Sequence, residues 1–95
     1  MTVILTTVVR VRDWKALQKL HHATLVGRAR EMGATRCQIY RNTGDAAQAL
    51  IVAEAPDHDA LRDLSWYLDE EIADLIDGDT IDERIWEPIE PEGVG

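Results

Sequence analysis

The sequence predicts an α+β domain of order βαββαβ, a four-stranded antiparallel sheet with two helices on one face. Three observations carry this expectation. Strand-like runs rich in β-branched residues stand near both ends, at 2–12 and 80–89. Two stretches of helical periodicity, 13–33 and one opening at Pro56-Asp57, divide the strand-like segments. Between them, two short strand candidates flank the turn cluster Asn42-Thr43-Gly44-Asp45.

Taken in order, 2–12 (TVILTTVVRVR) sets Val3, Leu5, Val9 and Val11 on one face and Ile4, Thr6, Val8 and Arg10 on the other. Both faces are apolar at the start, as in a strand covered on both sides. Asp13 offers an N-cap oxygen and Gly33 suits a left-handed C-cap, so 13–33 reads as one helix. Residues 34–41 (ATRCQIYR) alternate Cys37 and Ile39 with Gln38 and Tyr40. Residues 46–55 (AAQALIVAEA) contain helix-favouring Ala, Gln, Leu and Glu. They are read as a strand because Gly44-Asp45 and Pro56 bracket them closely and Leu50-Ile51-Val52 resembles a buried run.

Asp57 is the expected cap of the second helix, whose apolar stripe is Leu61, Leu64, Leu68, Ile72 and Leu75. Asp63, Glu70 and Asp74 face outward, and Asp77-Gly78-Asp79 is expected to end the helix. The last strand, 80–89, alternates Ile81, Ile85 and Ile89 with Asp82, Arg84 and Trp86. Residues 1–90 form one domain, and 91–95 (PEGVG) read as a flexible tail. The arrangement is the ferredoxin-like split βαβ. Its helices cover one sheet face only. The isoleucines of the last strand and the alternation of the first suggest that the opposite face is apolar too, which predicts a homodimer through that face.

Composition narrows the function classes. Ninety-five residues with 45% hydrophobic side chains suffice for one core, but with no Phe that core is aliphatic. So thin a core often gains stability from oligomerisation. A net charge of −8 argues against nucleic-acid binding, which needs a basic surface. No apolar run approaches the roughly 20 residues of a membrane span. The N-terminal segment lacks the positive region and cleavage site of a signal peptide. One cysteine excludes an internal disulfide, and these features together point to the cytoplasm. No Gly-rich phosphate loop or G-x-S-x-G elbow occurs. No metal is expected, since His21 and His22 diverge on a helix and His58 and Cys37 lack ligand spacing.

The first helix carries the candidate chemistry. At about 100° per residue, Trp14, Leu17, His21, Thr24, Leu25, Arg28 and Met32 share one arc, with Lys15, Lys19 and Arg30 opposite. Polar side chains aimed at their own sheet are either satisfied inside a core or line a pocket. His21 suits a general base, or else a structural histidine bonded to backbone or to Tyr40. His22 reads as a surface residue. Arg28 could hold a carboxylate or enolate oxygen, or pair with Glu54 or Glu71. Trp14 belongs to the core or the cleft rim. Trp86 is a pocket wall or, by preference, an interface anchor. Trp66 lies opposite the leucine stripe, near Arg62, as for a contact with another chain or a lid.

In its order of elements over 2–90, its strand-turn-strand YRNTGDAAQALIVAEAPD, its helix start DHDALRDL and its closing strand ERIWEPI, the chain resembles the dimeric α/β-barrel superfamily. Within it, the chain is similar to the antibiotic-biosynthesis-monooxygenase-like (ABM-like) proteins. The resemblance implies a homodimer closing two sheets into an α/β barrel, with a ligand cleft between the helices and sheet of each subunit. That superfamily includes cofactor-independent oxygenases of aromatic polyketides, polyketide cyclases, haem-degrading enzymes and lactone isomerases. It therefore implies a monooxygenase without a cofactor, acting on a hydrophobic, aromatic or polyketide-like molecule. The expected catalytic residues are His21 and Arg28, with Trp14, Leu17, Thr24, Tyr40 and Trp86 against the substrate. A cyclase or isomerase would use the same base on an enolisable carbonyl. In a non-catalytic ligand-binding or accessory dimer, His21 would be structural.

Overall fold

Alternation along the first strand, β1 (Val3–Val11), divides the molecule into two sides. Val3, Leu5, Thr7, Val9 and Val11 are buried, whereas Ile4, Thr6 and Val8 are half-buried and Arg10 is exposed. The computed structural model describes residues 2–89. In it β1 is a central strand of a four-stranded antiparallel sheet of order β2-β3-β1-β4, with β2 at Arg36–Asn42, β3 at Asp45–Ala55 and β4 at Ile76–Trp86. Val3 stands opposite Ala55 on β3, Ile4 opposite Trp86 on β4, and Arg36 of β2 opposite Glu54. This is the expected ferredoxin-like α+β fold. Among the described residues no helix is long and apolar enough to cross a membrane.

The core lies on the side of β1 that carries Val3, Leu5 and Val9. It joins them to Ala49, Ile51 and Ala53 of β3, to Leu17, Leu25 and Ala29 of the first helix, and to Leu61, Leu64, Leu68 and Ile72 of the second. Without phenylalanine, its largest fully buried side chains are leucines and isoleucines.

The first helix is not uniform. It runs as α1 (Trp14–Leu20), a π-helical turn at His21–Leu25, and α2 (Val26–Glu31). Asp13 caps it, its Oδ1 accepting from the Ala16 N–H at 3.0 Å. The Val26 N–H donates to the His21 carbonyl five residues back. A π turn accommodates one more residue than an α turn and so shifts the phase of every residue after it. The buried row consequently passes through Leu17, Leu25 and Ala29. Thr24 and Arg28, expected over the sheet, are exposed instead. Gly33, at φ 103°, closes the helix in the left-handed conformation that glycine adopts without strain.

The second helix, α3 (His58–Ile72), is capped by Asp57, which accepts from the Asp59 N–H at 3.0 Å. A short 3-10 turn at Ala73–Leu75 comes next, and β4 begins at once. The helix therefore ends before Asp77-Gly78-Asp79, and these residues lie within the strand. Ile76 is buried opposite Val11, and the register slips between Val8 and Arg10. The Thr80 hydroxyl donates to the Asp77 carbonyl at 2.7 Å and accepts from the Arg10 N–H at 3.2 Å, spanning the irregularity. A turn-like tripeptide has been absorbed as a bulge because burial of Ile76 favours continuing the ladder.

The two sheet faces also differ from expectation. Ile81 and Ile85 pack against the helix-side core, and Ile85 sits opposite Leu5. Ile89 lies beyond the end of β4 and is 98% exposed. The outer face instead carries Ile4, Val8, Leu50 and Val52 with Tyr40 and Trp86, interspersed with the ion pairs Arg36–Glu54 and Arg84–Asp82. The tail at 91–95 lies outside the described residues.

Leu17 is fully buried, so truncation tests its place in this core. Leu17→Ala should lower unfolding free energy by about 3 kcal/mol, measured by urea denaturation.

Candidate functional site

The outer strand β2 presents Cys37, Ile39 and Arg41 to the helix side, in phase with Ala53, Ile51 and Ala49 opposite them on β3. Over this edge lies the first half of the first helix, where Trp14, Gln18 and His22 recur at intervals of four and His21 stands beside them. These residues enclose an open groove of about 600 Å³, which Gln38 also borders.

Trp14 is fixed within it. Its indole Nε1 donates to the Ala46 carbonyl at 2.8 Å, tying the helix start to β3. The Arg41 guanidinium lies 4.5 Å from the centre of the Trp14 ring, a cation–π geometry. His21 is half-buried, and its Nε2 lies 4.0 Å from the Cys37 sulfur. Burial holds the imidazole below its ordinary pKa. An interaction with the Cys37 main chain opposes that shift, and the neighbouring His22 reinforces it. His21 is therefore mostly uncharged at neutral pH. Burial pushes the Cys37 thiol up, so this sulfur is not an activated thiolate.

Of the residues expected at the site, the structure brings together Trp14 and His21 and no others. Leu17 lies in the sealed core. Thr24 faces solvent. Arg28 pairs with Glu31 at 3.1 Å, not with Glu54 or Glu71, and its guanidinium lies 5.6 Å from the Tyr67 ring of α3. The phase shift of the π turn accounts for both displacements. Tyr40 and Trp86 occupy the outer sheet face, so the sheet separates them from His21. Tyr40 accepts from Arg36 Nη2 at 2.6 Å and donates to Gln38 Oε1 at 3.1 Å; Trp86 Nε1 donates to Thr6 Oγ1 at 2.7 Å. Trp66 is exposed, as expected for its side of α3.

Arg41, Gln18 and Gln38 line the groove without having been singled out from the sequence. The signal for Arg41 was present, since the alternation that pairs Cys37 with Ile39 continues to it. Among the described residues no group of three or more His, Cys, Asp or Glu side chains could hold a metal ion.

A second polar cluster lies between α3 and the sheet. Thr7, fully buried on β1, donates its hydroxyl to Glu83 Oε2 at 3.0 Å. The Glu83 carboxyl is pushed up to about 7, first by burial and then by the hydrogen bond and charge of Asp69, while the hydroxyls of Thr7 and Ser65 oppose the shift. Asp69 Oδ1 is buried without a nitrogen or hydroxyl donor among the described residues. A proton held between the two carboxyls satisfies it.

No protein-family model matches the chain by sequence, and no curated protein matches it. Solved structures do. The chain is similar to Rv0793 of Mycobacterium tuberculosis, with TM-score 0.72, 16% identity, and coverage of 99% of this chain and 100% of that one. SnoaB of Streptomyces nogalater, a cofactor-independent oxygenase, gives TM-score 0.70 at 19% identity, covering 96% and 98%. A putative antibiotic biosynthesis monooxygenase of Nitrosomonas europaea gives 0.71 at 12%, covering 97% and 94%. The fold is ABM-like. At these identities the likeness establishes architecture, and chemistry has to be argued from the side chains.

The Glu83 cluster has a signed pH dependence. Between the ordinary glutamate pKa of 4.5 and about 7 the native chain holds a proton that the unfolded chain has released. That contribution is complete below pH 4.5 and is lost as pH rises through 7. Glu83→Gln, which mimics the protonated carboxyl, should gain stability relative to the parent chain between about pH 5 and about pH 8. The gain should be on the order of 1 kcal/mol once screening of a half-buried group is allowed for, measured by denaturation at both pH values.

Proposed function

We propose that the protein is a cofactor-independent monooxygenase whose substrate is an aromatic or polyketide-like molecule held in the groove between the first helix and β2. One observation carries this reading. His21, kept mostly uncharged by burial, stands on the wall of an open groove beside the fixed ring of Trp14.

A neutral imidazole can take the proton of a phenol or β-diketone. The resulting anion is electron-rich enough to reduce dioxygen itself. A carbon–oxygen bond forms, one oxygen atom stays on the substrate as a carbonyl and the other leaves as water. The protein's share is deprotonation, orientation and limiting access of water, which its own side chains supply. The fold shared with SnoaB, a cofactor-independent oxygenase, supports this reading. A cyclase or isomerase would use the same base without consuming oxygen.

We also propose a cytoplasmic homodimer paired through the outer sheet face. Its support is the half-buried row Ile4, Val8, Leu50 and Val52, bordered by Trp86 at 52% exposure.

His21→Ala should reduce kcat/KM by about a hundredfold in an oxygen-electrode assay on an anthrone-type substrate. Activity of the parent chain should fall as pH drops below 6.5 and level off above it, because the working form of His21 is the unprotonated one. Turnover unchanged in the variant would remove His21 as the base. Light scattering at micromolar concentration should give twice the 10.7 kDa of one chain, and 10.7 kDa would refute the dimer.

A further inference from the structure

The charge of the groove is opposite to that of the chain. The chain has a net charge of −8, yet among the described residues no carboxylate borders the groove. It carries instead a guanidinium and two imidazoles.

The guanidinium is the informative group. Arg10, Arg28, Arg36, Arg62 and Arg84 each have a carboxylate partner. Arg41 has none among the described residues. Arg12 and Arg30 share that property, but Arg30 borders a crevice of about 20 Å³. Arg41 stands in a space large enough for an organic ligand. Stacking on Trp14 at 4.5 Å covers its flat face and leaves the N–H edge for an acceptor. That edge fits the two oxygens of a carboxylate, or one oxyanion, by charge-assisted hydrogen bonds. Gln18 adds a neutral donor and acceptor, and Ile39 with the Trp14 ring adds apolar surface.

We infer that Arg41 is the anion-binding residue of the groove and that its ligand is a planar aromatic molecule bearing a negative charge. The ring lies along Trp14 and Ile39, and the charged oxygen meets the Arg41 edge. This rests on the groove being the site proposed above and deepens that reading. It gives the oxygenase a cation near its base, the part expected of Arg28. A substrate anion formed by loss of a proton to His21 is then stabilised by Arg41.

Two probes of equal ring size, 2-naphthoate and 2-naphthamide, differ in charge and isolate the claim. Binding is measured at about pH 7.5 by calorimetry, and the Trp14 indole N–H resonance reports where each probe sits. The anion should bind about tenfold more tightly than the amide and shift that resonance. Arg41→Gln should erase the difference while leaving amide binding in place, and Arg41→Lys should keep part of it. Arg28→Gln should change neither. Equal affinity for the probes, no binding of either, or a preference that survives Arg41→Gln overturns the inference. Binding needs no turnover. A protein that consumes no oxygen yet prefers the anion refutes the oxygenase and leaves Arg41 in place. A charge-blind groove with His21-dependent turnover does the reverse.

Discussion

One additional residue in the turn His21–Leu25 sets the relation between the first helix and the sheet. Without it, an α-helix starting at Trp14 would carry Leu17, Thr24 and Arg28 down one line, and a guanidinium would face an aliphatic core. Burying that charge unpaired would cost several kcal/mol, far more than a single π turn. With it, Leu17, Leu25 and Ala29 make the contact and Arg28 turns out to the surface between the helices. The same turn leaves His21 at the boundary, half-buried, where an imidazole is desolvated yet reachable.

Sequence periodicity conveyed the layer structure well and the site only in part. β1 and the leucine stripe of α3 show strict alternation or helical spacing, so their buried faces could be read directly. The first helix defeated the same method because a wheel assumes one constant pitch, and a π turn leaves no mark in residue types. The turn carries Arg28 and Thr24 out to solvent for that reason, while Trp14 and His21, before or at the turn, line the groove. In β4, Asp77-Gly78-Asp79 has turn chemistry, and only the pairing of Ile76 with Val11, a partner far away in sequence, makes it a bulge. Tyr40 and Trp86 failed differently. Alternation gives two faces but does not say which one the helices cover, and both side chains lie on the uncovered one.

Electrostatics partitions the molecule into three regions. Most carboxylates are solvated or paired with arginines along the surface. Two of them, Asp69 and Glu83, face each other beneath α3, where burial favours retaining a proton. Among the described residues the groove has no carboxylate on its rim, and the Arg41 guanidinium lies there against an indole. A net acidic protein thus keeps one local positive field, shaped by which residues were left out as much as by those present.

The groove borders β2, one of the two edge strands of the sheet, which has β3 as its single neighbour. Its two walls therefore differ in how freely they can vary. The helix wall shares its turns with Leu17 and Leu25, so substitutions there disturb the core. The β2 wall is built from the side chains of Ile39 and Arg41 on a strand held from one side, where replacements perturb little beyond themselves. Descendants of this fold can vary the groove along β2 while His21 on the helix stays fixed. Diversification is channelled to one rim of the site.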